Sequence, residues 1–171
     1  RCLPAGHLPG TAGRRIMARC STTQGGSPVT PNDEMAIEWH CRRLTEDYVH
    51  YADFQDFDSF ADLFAADGGL EIGDARRTGA DEIKGHFANR PPMVTRHICT
   101  DQRIDVVDSD HATGTVYLMV YRCVGDYTED SPPIPFDRPT WIGHYVDDYV
   151  RTDGGWRFAK RVLHIRFQRE S

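Results

Sequence analysis

Residues 94–124 read VTRHICTDQRIDVVDSDHATGTVYLMVYRCV, and this stretch decides the fold. Val, Ile, Thr and Tyr recur through two runs, Val94–Val107 and Ala112–Val124, with the polar triplet Asp108-Ser109-Asp110 between them. Such runs are strands, and so short a polar link makes them antiparallel neighbours. Two further runs, Trp141–Arg151 and Trp156–Phe167, are split by Asp153-Gly154-Gly155, a second turn. Between the pairs, Cys123–Pro139 holds four prolines and is a longer loop.

Upstream of residue 94 the apolar period changes. Ile37, Cys41, Leu44, Tyr48 and Tyr51 recur at helical spacing and predict a helix over 33–52, capped by Asn32 or Asp33. The segment DFDSFADLFAADGG (56–69) predicts a second helix, with Phe60, Leu63 and Phe64 on its apolar face and Gly68-Gly69 as its stop. Leu70–Gly73 is a short strand, and Gly79–Ala88 a third helix ended by Pro91-Pro92. Helices first and strands later predict an α+β domain with its helices on one face of a curved antiparallel sheet.

The chain has 171 residues, enough for one domain and a tail. Residues 1–31 carry four arginines and no acid, so the net charge of −6 leaves −10 on the rest. An acidic body argues against nucleic-acid binding, which needs a basic face. No apolar run approaches the ~18–20 residues of a membrane span, so no membrane partner is expected. Residues 1–31 are rich in Gly and Pro and lack any period, which predicts a flexible extension outside the site. A leader and a transit segment are both readings of it, and Met17 and Met35 are both conceivable starts. The domain proper is expected over 32–171. The five cysteines are odd in number, widely spaced and free of CxxC pairs. They read as reduced thiols in a cytoplasmic protein, with Cys41, Cys99 and Cys123 as small core residues and no local metal site. No nucleophile elbow, phosphate loop or dinucleotide fingerprint is present; GDARRTGADEIKG (73–85) has glycines at the wrong spacing.

Strand alternation sorts side chains by face. Val116, Leu118, Val120 and Arg122 share one face, and Tyr117, Met119 and Tyr121 the other. If the first set lines a pocket, the Tyr-Met-Tyr stripe faces outward as a subunit interface. On the next run Gly143, Tyr145, Asp147 and Tyr149 lie together.

Four motifs carry a resemblance over about residues 34–168: Tyr48-Val-His-Tyr-Ala-Asp53 with Asp56-Phe57-Asp58; Thr95-Arg96-His97; Gly143-His-Tyr-Val-Asp147; and Gly155-Trp156-Arg157-Phe158-Ala159. In this order the chain resembles the nuclear-transport-factor-2-like superfamily. Its SnoaL-like branch includes scytalone dehydratase, bile-acid 7α-dehydratase and hexachlorocyclohexane dehydrochlorinase. The resemblance implies a cone-shaped α+β barrel: N-terminal helices in a strongly curved mixed or antiparallel sheet, around a blind pocket for a small apolar ligand or substrate. It implies His97 as general base, Asp53 orienting it and Tyr48 polarising a carbonyl, in a cofactor-independent, metal-free lyase of the dehydratase type. It also implies a homodimer or homotrimer.

Arg122, Tyr145, Asp147, Tyr149, Val120 and Leu118 are the candidate substrate contacts, with Arg122 suited to a carboxylate or a leaving group. Asp147 is a secondary pocket candidate, and its plainer reading is a salt bridge with an arginine across the sheet. Arg122 stands near the second pocket histidine of scytalone dehydratase, and Ala52 replaces the tyrosine before its aspartate, so that enzyme's substrate is not implied. The same fold serves as the non-catalytic small subunit of ring-hydroxylating dioxygenases and as a ligand-binding domain. Dehydrohalogenase and ketosteroid-type isomerase chemistry are further alternatives.

Overall fold

A computed structural model of the chain describes residues 29–169, apart from 129 and 137. The expected flexible extension, with Cys2 and Cys20, lies almost entirely outside the described residues.

Helix α1 spans Pro31–Phe54. Its cap is Thr30, two or three residues before the expected Asn32 or Asp33. The Thr30 side chain accepts from the Asp33 amide while the Asp33 carboxylate takes the Thr30 N–H, and Pro31 sits at the first helical position, where no N–H is needed. The helix ends at Gln55 in the left-handed region (φ 62°), whose side chain reaches the Met93 carbonyl at 3.3 Å. That bond fixes the end of α1 against the start of a strand.

The segment 56–69 departs from expectation. Helix α2 covers only Phe57–Ala61, capped by Asp56, and strand β1 runs Phe64–Ile72. Gly68-Gly69 is therefore inside a strand. A Cβ on Gly68 would lie 2.7 Å from the Phe158 carbonyl and 2.9 Å from the Ala65 backbone. Only glycine permits this approach, and the β1 register shifts there, between Phe64 and Gly69. Strand β2 (Ala75–Thr78) follows, then α3 (Gly79–Ala88), β3 (Met93–Val106), β4 (His111–Val124), β5 (Trp141–Thr152) and β6 (Gly155–Gln168).

The six strands form one sheet in the order β2-β1-β6-β5-β4-β3. All neighbours are antiparallel except β1 and β6, which run parallel. The sheet is therefore mixed and open: β2 and β3 are its edges, so no ladder closes a barrel. Helix α1 packs on β3 and β6, while α3 packs on β1, β2 and α2. Along β4, Ala112, Gly114, Val116, Leu118 and Val120 are buried and the alternate residues are not.

The core between helix and sheet is aromatic. The Tyr48 ring lies 4.6 Å from Phe60, 5.6 Å from Tyr145 and 6.0 Å from Phe158. Truncating one ring of such a stack to alanine costs about 3–5 kcal/mol. Cys41 is wholly buried, and Cys99 and Cys123 are half-buried free thiols.

Candidate active site

The apolar stripe of α1 turns Tyr48 and Ala52 into the core and delivers Asp53 to the last turn, beside β3. On β3, Thr95 and His97 share a face by alternation. Asp53 joins the two elements. One carboxylate oxygen accepts from the Thr95 hydroxyl at 2.8 Å and meets His97 Nδ1 at 2.6 Å; the other accepts from the His97 backbone N–H at 2.8 Å. A carboxylate only accepts, so Nδ1 carries a proton, and in the neutral ring Nε2 has the lone pair. The pair is largely buried, with 12% of the His97 side chain and 8% of Asp53 exposed.

His97 opens on a cavity of about 230 Å³ between α1, α3 and the sheet. Tyr48, Val120, Arg122 and Tyr145 share its wall, so five of the residues expected at the site meet in one place. Asp53 stands behind His97. Burial raises both phenols, and the positive charge of Arg161 offsets part of that shift, so Tyr48 and Tyr145 stay protonated donors. Arg90, His86 and Trp141 are among the wall residues that sequence reasoning missed. Arg90 follows α3 in an irregular link, where no period reveals which way a side chain faces.

Three expected contacts lie elsewhere. Leu118 is a buried core residue off the cavity wall. Asp147 and Tyr149 belong to a buried polar layer beneath it. Arg161, directly opposite Asp147 across β5 and β6, donates from Nε at 2.8 Å and from Nη2 at 2.7 Å to the two Asp147 oxygens. Nη2 also reaches Thr45 Oγ1 at 2.9 Å, and the Tyr149 hydroxyl donates to Asp147 at 2.9 Å. The alternative reading of Asp147, an ion pair with an arginine across the sheet, is the arrangement found. Burial works against the Arg161 charge, but the Asp147 carboxylate outweighs it and holds the guanidinium above its ordinary range. Arg161 Nη1 has no hydrogen-bond partner; the rings of Tyr48, Tyr145 and Phe158, 4.1–4.3 Å from the guanidinium carbon, offer π faces instead. The cation thus underlies both pocket phenols.

A larger cleft of about 460 Å³ lies at the other end of the molecule, where Asp33 and His40 of α1 face Arg151 and Trp156, and it holds none of the candidate groups. Among the described residues no cluster of three His, Cys, Asp or Glu is placed to hold a metal. Among the described residues no helix is long and apolar enough to cross a membrane.

Comparison with known proteins agrees with this fold. The profile described as a SnoaL-like domain matches residues 33–162. No curated protein matches the chain. Among solved structures, a protein of unknown function from Mycobacterium tuberculosis is 27% identical, with a TM-score of 0.65 over 81% of this chain and 77% of its own. A candidate scytalone dehydratase from Novosphingobium aromaticivorans is 21% identical, with a TM-score of 0.67 over 83% and 92%. A hexachlorocyclohexane dehydrochlorinase from Novosphingobium barchaimii is 18% identical, with a TM-score of 0.66 over 82% and 93%. At these identities the last two show a shared fold.

Proposed function

The chain belongs to the SnoaL-like domain family, and from that premise we propose that it is a cofactor-independent lyase of the dehydratase type, acting by β-elimination on a small carbonyl compound. The observation that carries this reading is the His97–Asp53 pair opening on a cavity that also holds the buried Tyr48 phenol. Nε2 of His97 removes the proton next to the carbonyl. Negative charge then gathers on the carbonyl oxygen, where the Tyr48 O–H donates to it. Collapse of the enolate expels the β-hydroxyl, which takes the proton back from His97 and leaves as water. Asp53 holds the ring in the correct tautomer and stabilises the imidazolium formed between the two transfers.

The same groups eliminate a halide equally well, the proton then passing to solvent. The fold shared with a dehydrochlorinase favours keeping that second reading. Neither version routes a step through a cofactor. The test is a panel of β-hydroxy and β-chloro ketones, followed by enone absorbance, with His97→Gln beside the wild type. A fall of about 10²–10⁴ in rate with an unchanged melting transition is expected. Turnover by His97→Gln within a few-fold of wild type would remove His97 as the base.

We also propose that the chain pairs with a second copy through the outer face of the sheet. Ile98, Met119, Ile142 and Phe167 fall in one register row across β3, β4, β5 and β6. Phe167 is 68% exposed and the neighbouring Tyr117 62%, so this row is an apolar face left open to solvent.

A further inference from the structure

The cavity wall carries charge of one sign. Two guanidinia, Arg90 and Arg122, supply that charge beside two imidazoles, His86 and His97, and no carboxylate lines the cavity. This is a cationic cavity inside a chain of net charge −6. Both arginines are held by rings. Arg90 lies 4.4 Å from Phe87 and 5.7 Å from Phe57, and its Nε donates to the Phe87 carbonyl at 3.3 Å. Arg122 lies 4.7 Å from Trp141. Among the described residues neither is paired with an acid. Burial depresses Arg90; the Tyr48 phenol works against that shift and the neighbouring Arg122 charge adds a smaller push in the same direction as burial. His86 is depressed by burial and by Arg77 and Arg90.

We infer that this cavity binds an organic carboxylate, its anionic end held between Arg90 and Arg122. Planar forks fit a carboxylate in a two-bond geometry, and arginines already stacked on rings lose little freedom on binding. Register orders the rest of the ligand. Arg122 is near the end of β4; two residues deeper, Val120 pairs with His97; four residues further, Val116 pairs with Tyr145. Exposure falls along the same path, from half-buried Arg122 to fully buried Tyr145. A substrate therefore enters with its carboxylate at the arginine end, its acidic C–H at His97 and its carbonyl at the phenols. The volume is below the ~300–1,000 Å³ of drug-sized sites, which limits it to one ring or an equivalent short chain. The substrate class is a small β-hydroxy or β-halo carbonyl compound with a carboxylate at the remote end. Only the order of groups rests on the elimination reading; the anion site stands on the two arginines.

The probe is benzoate, with benzamide as its uncharged match, titrated by calorimetry at low ionic strength into wild type, Arg90→Gln, Arg122→Gln and His97→Gln. Benzoate binding at least ten-fold tighter than benzamide is expected, weakened about ten-fold in each arginine variant and kept in His97→Gln. The His97→Gln arm isolates the anion site from the chemistry. Binding there without turnover in wild type would refute the elimination and leave this inference standing. Equal affinity for the two probes in wild type overturns it, as does benzoate affinity unchanged in both folded arginine variants. The wild-type comparison needs no variant, so an unstable arginine variant does not remove the test.

Discussion

Replacing Asp53 by asparagine exchanges one oxygen of a carboxylate that faces three groups: the Thr95 hydroxyl, the His97 N–H and His97 Nδ1. The new amide nitrogen cannot face the His97 backbone N–H, because two donors would meet at 2.8 Å. It must take the other position, where Thr95 Oγ1 and Nδ1 both lie within reach. There its two protons find two acceptors, provided the Thr95 hydroxyl rotates and the His97 ring moves its own proton to Nε2. The amide protons stay satisfied but the Thr95 hydroxyl gives up its acceptor, so the cost is that bond plus the difference between charge-assisted and neutral hydrogen bonds, about 1–3 kcal/mol in all. At this chain length that lowers the melting temperature by roughly 2–4 °C per kcal/mol. The rate falls far more, by about 10²–10⁴, since Nε2 now holds a proton where the mechanism needs a lone pair. Nitrogen chemical shifts of labelled histidine read the tautomer with no substrate present, and enone absorbance reads the rate. A folded Asp53→Asn protein whose His97 still carries its proton on Nδ1, or which turns over within three-fold of wild type, would refute the reasoning.

Asp147→Ala leaves Arg161 charged and unpaired in the core, so denaturant unfolding is expected to show a loss of about 3–5 kcal/mol; a loss under 1 kcal/mol would mean that water reaches the site. Burial pushes the Cys41 thiol up to about 12 and Cys99 up to about 11, from an ordinary value of 9.0. Neutral thiols are thus what the fold favours: their contribution is complete below the unfolded value and is lost as pH rises through about 11 and 12. Alkylation of both by iodoacetamide at pH 8, mapped by mass spectrometry, should be at least about a hundred-fold slower in the folded protein than in urea, and comparable rates would count against their burial. Tyr117→Glu puts a charge on the outer sheet face and is expected to yield monomers by sedimentation velocity, whereas an unchanged profile would locate the interface elsewhere.

Much of the fold was legible in the sequence because each element announced itself locally. The stripe of α1 has the helical period from Ile37 to Tyr51, and the turns at 108–110 and 153–155 set two antiparallel ladders, β3–β4 and β5–β6. β1 was not legible. A Gly-Gly pair after a helical pattern is the ordinary stop signal, and nothing local says that Gly68 instead lies against the Phe158 backbone. The parallel β1–β6 pairing is likewise a property of two distant segments. At the site, His97 and Asp53 were found through the register of two motifs, since neither residue differs in kind from its many neighbours. Asp147 showed the limit of alternation: the strand period put it on the inner face, but only Arg161 opposite it decides that it is an ion-pair partner and not a pocket wall. Arg90 escaped for a third reason, because a residue after a helix end has no period to be read against.

The position of β6 also sets when this protein can fold. It is the last strand in the chain, yet it sits inside the sheet, joining β1 and β2 on one side to β5, β4 and β3 on the other. A nascent chain ending before Gly155 holds a hairpin and a three-stranded meander with no strand between them, and Phe64 and Tyr48 wait for Phe158 to close the core. Loop-closure entropy for the Phe64–Phe158 and Ile72–Leu163 pairs is met before any local contact rewards it, which makes this pairing the slow step. Folding of the sheet therefore waits for β6, and truncation of β6 removes the centre of the sheet rather than its margin.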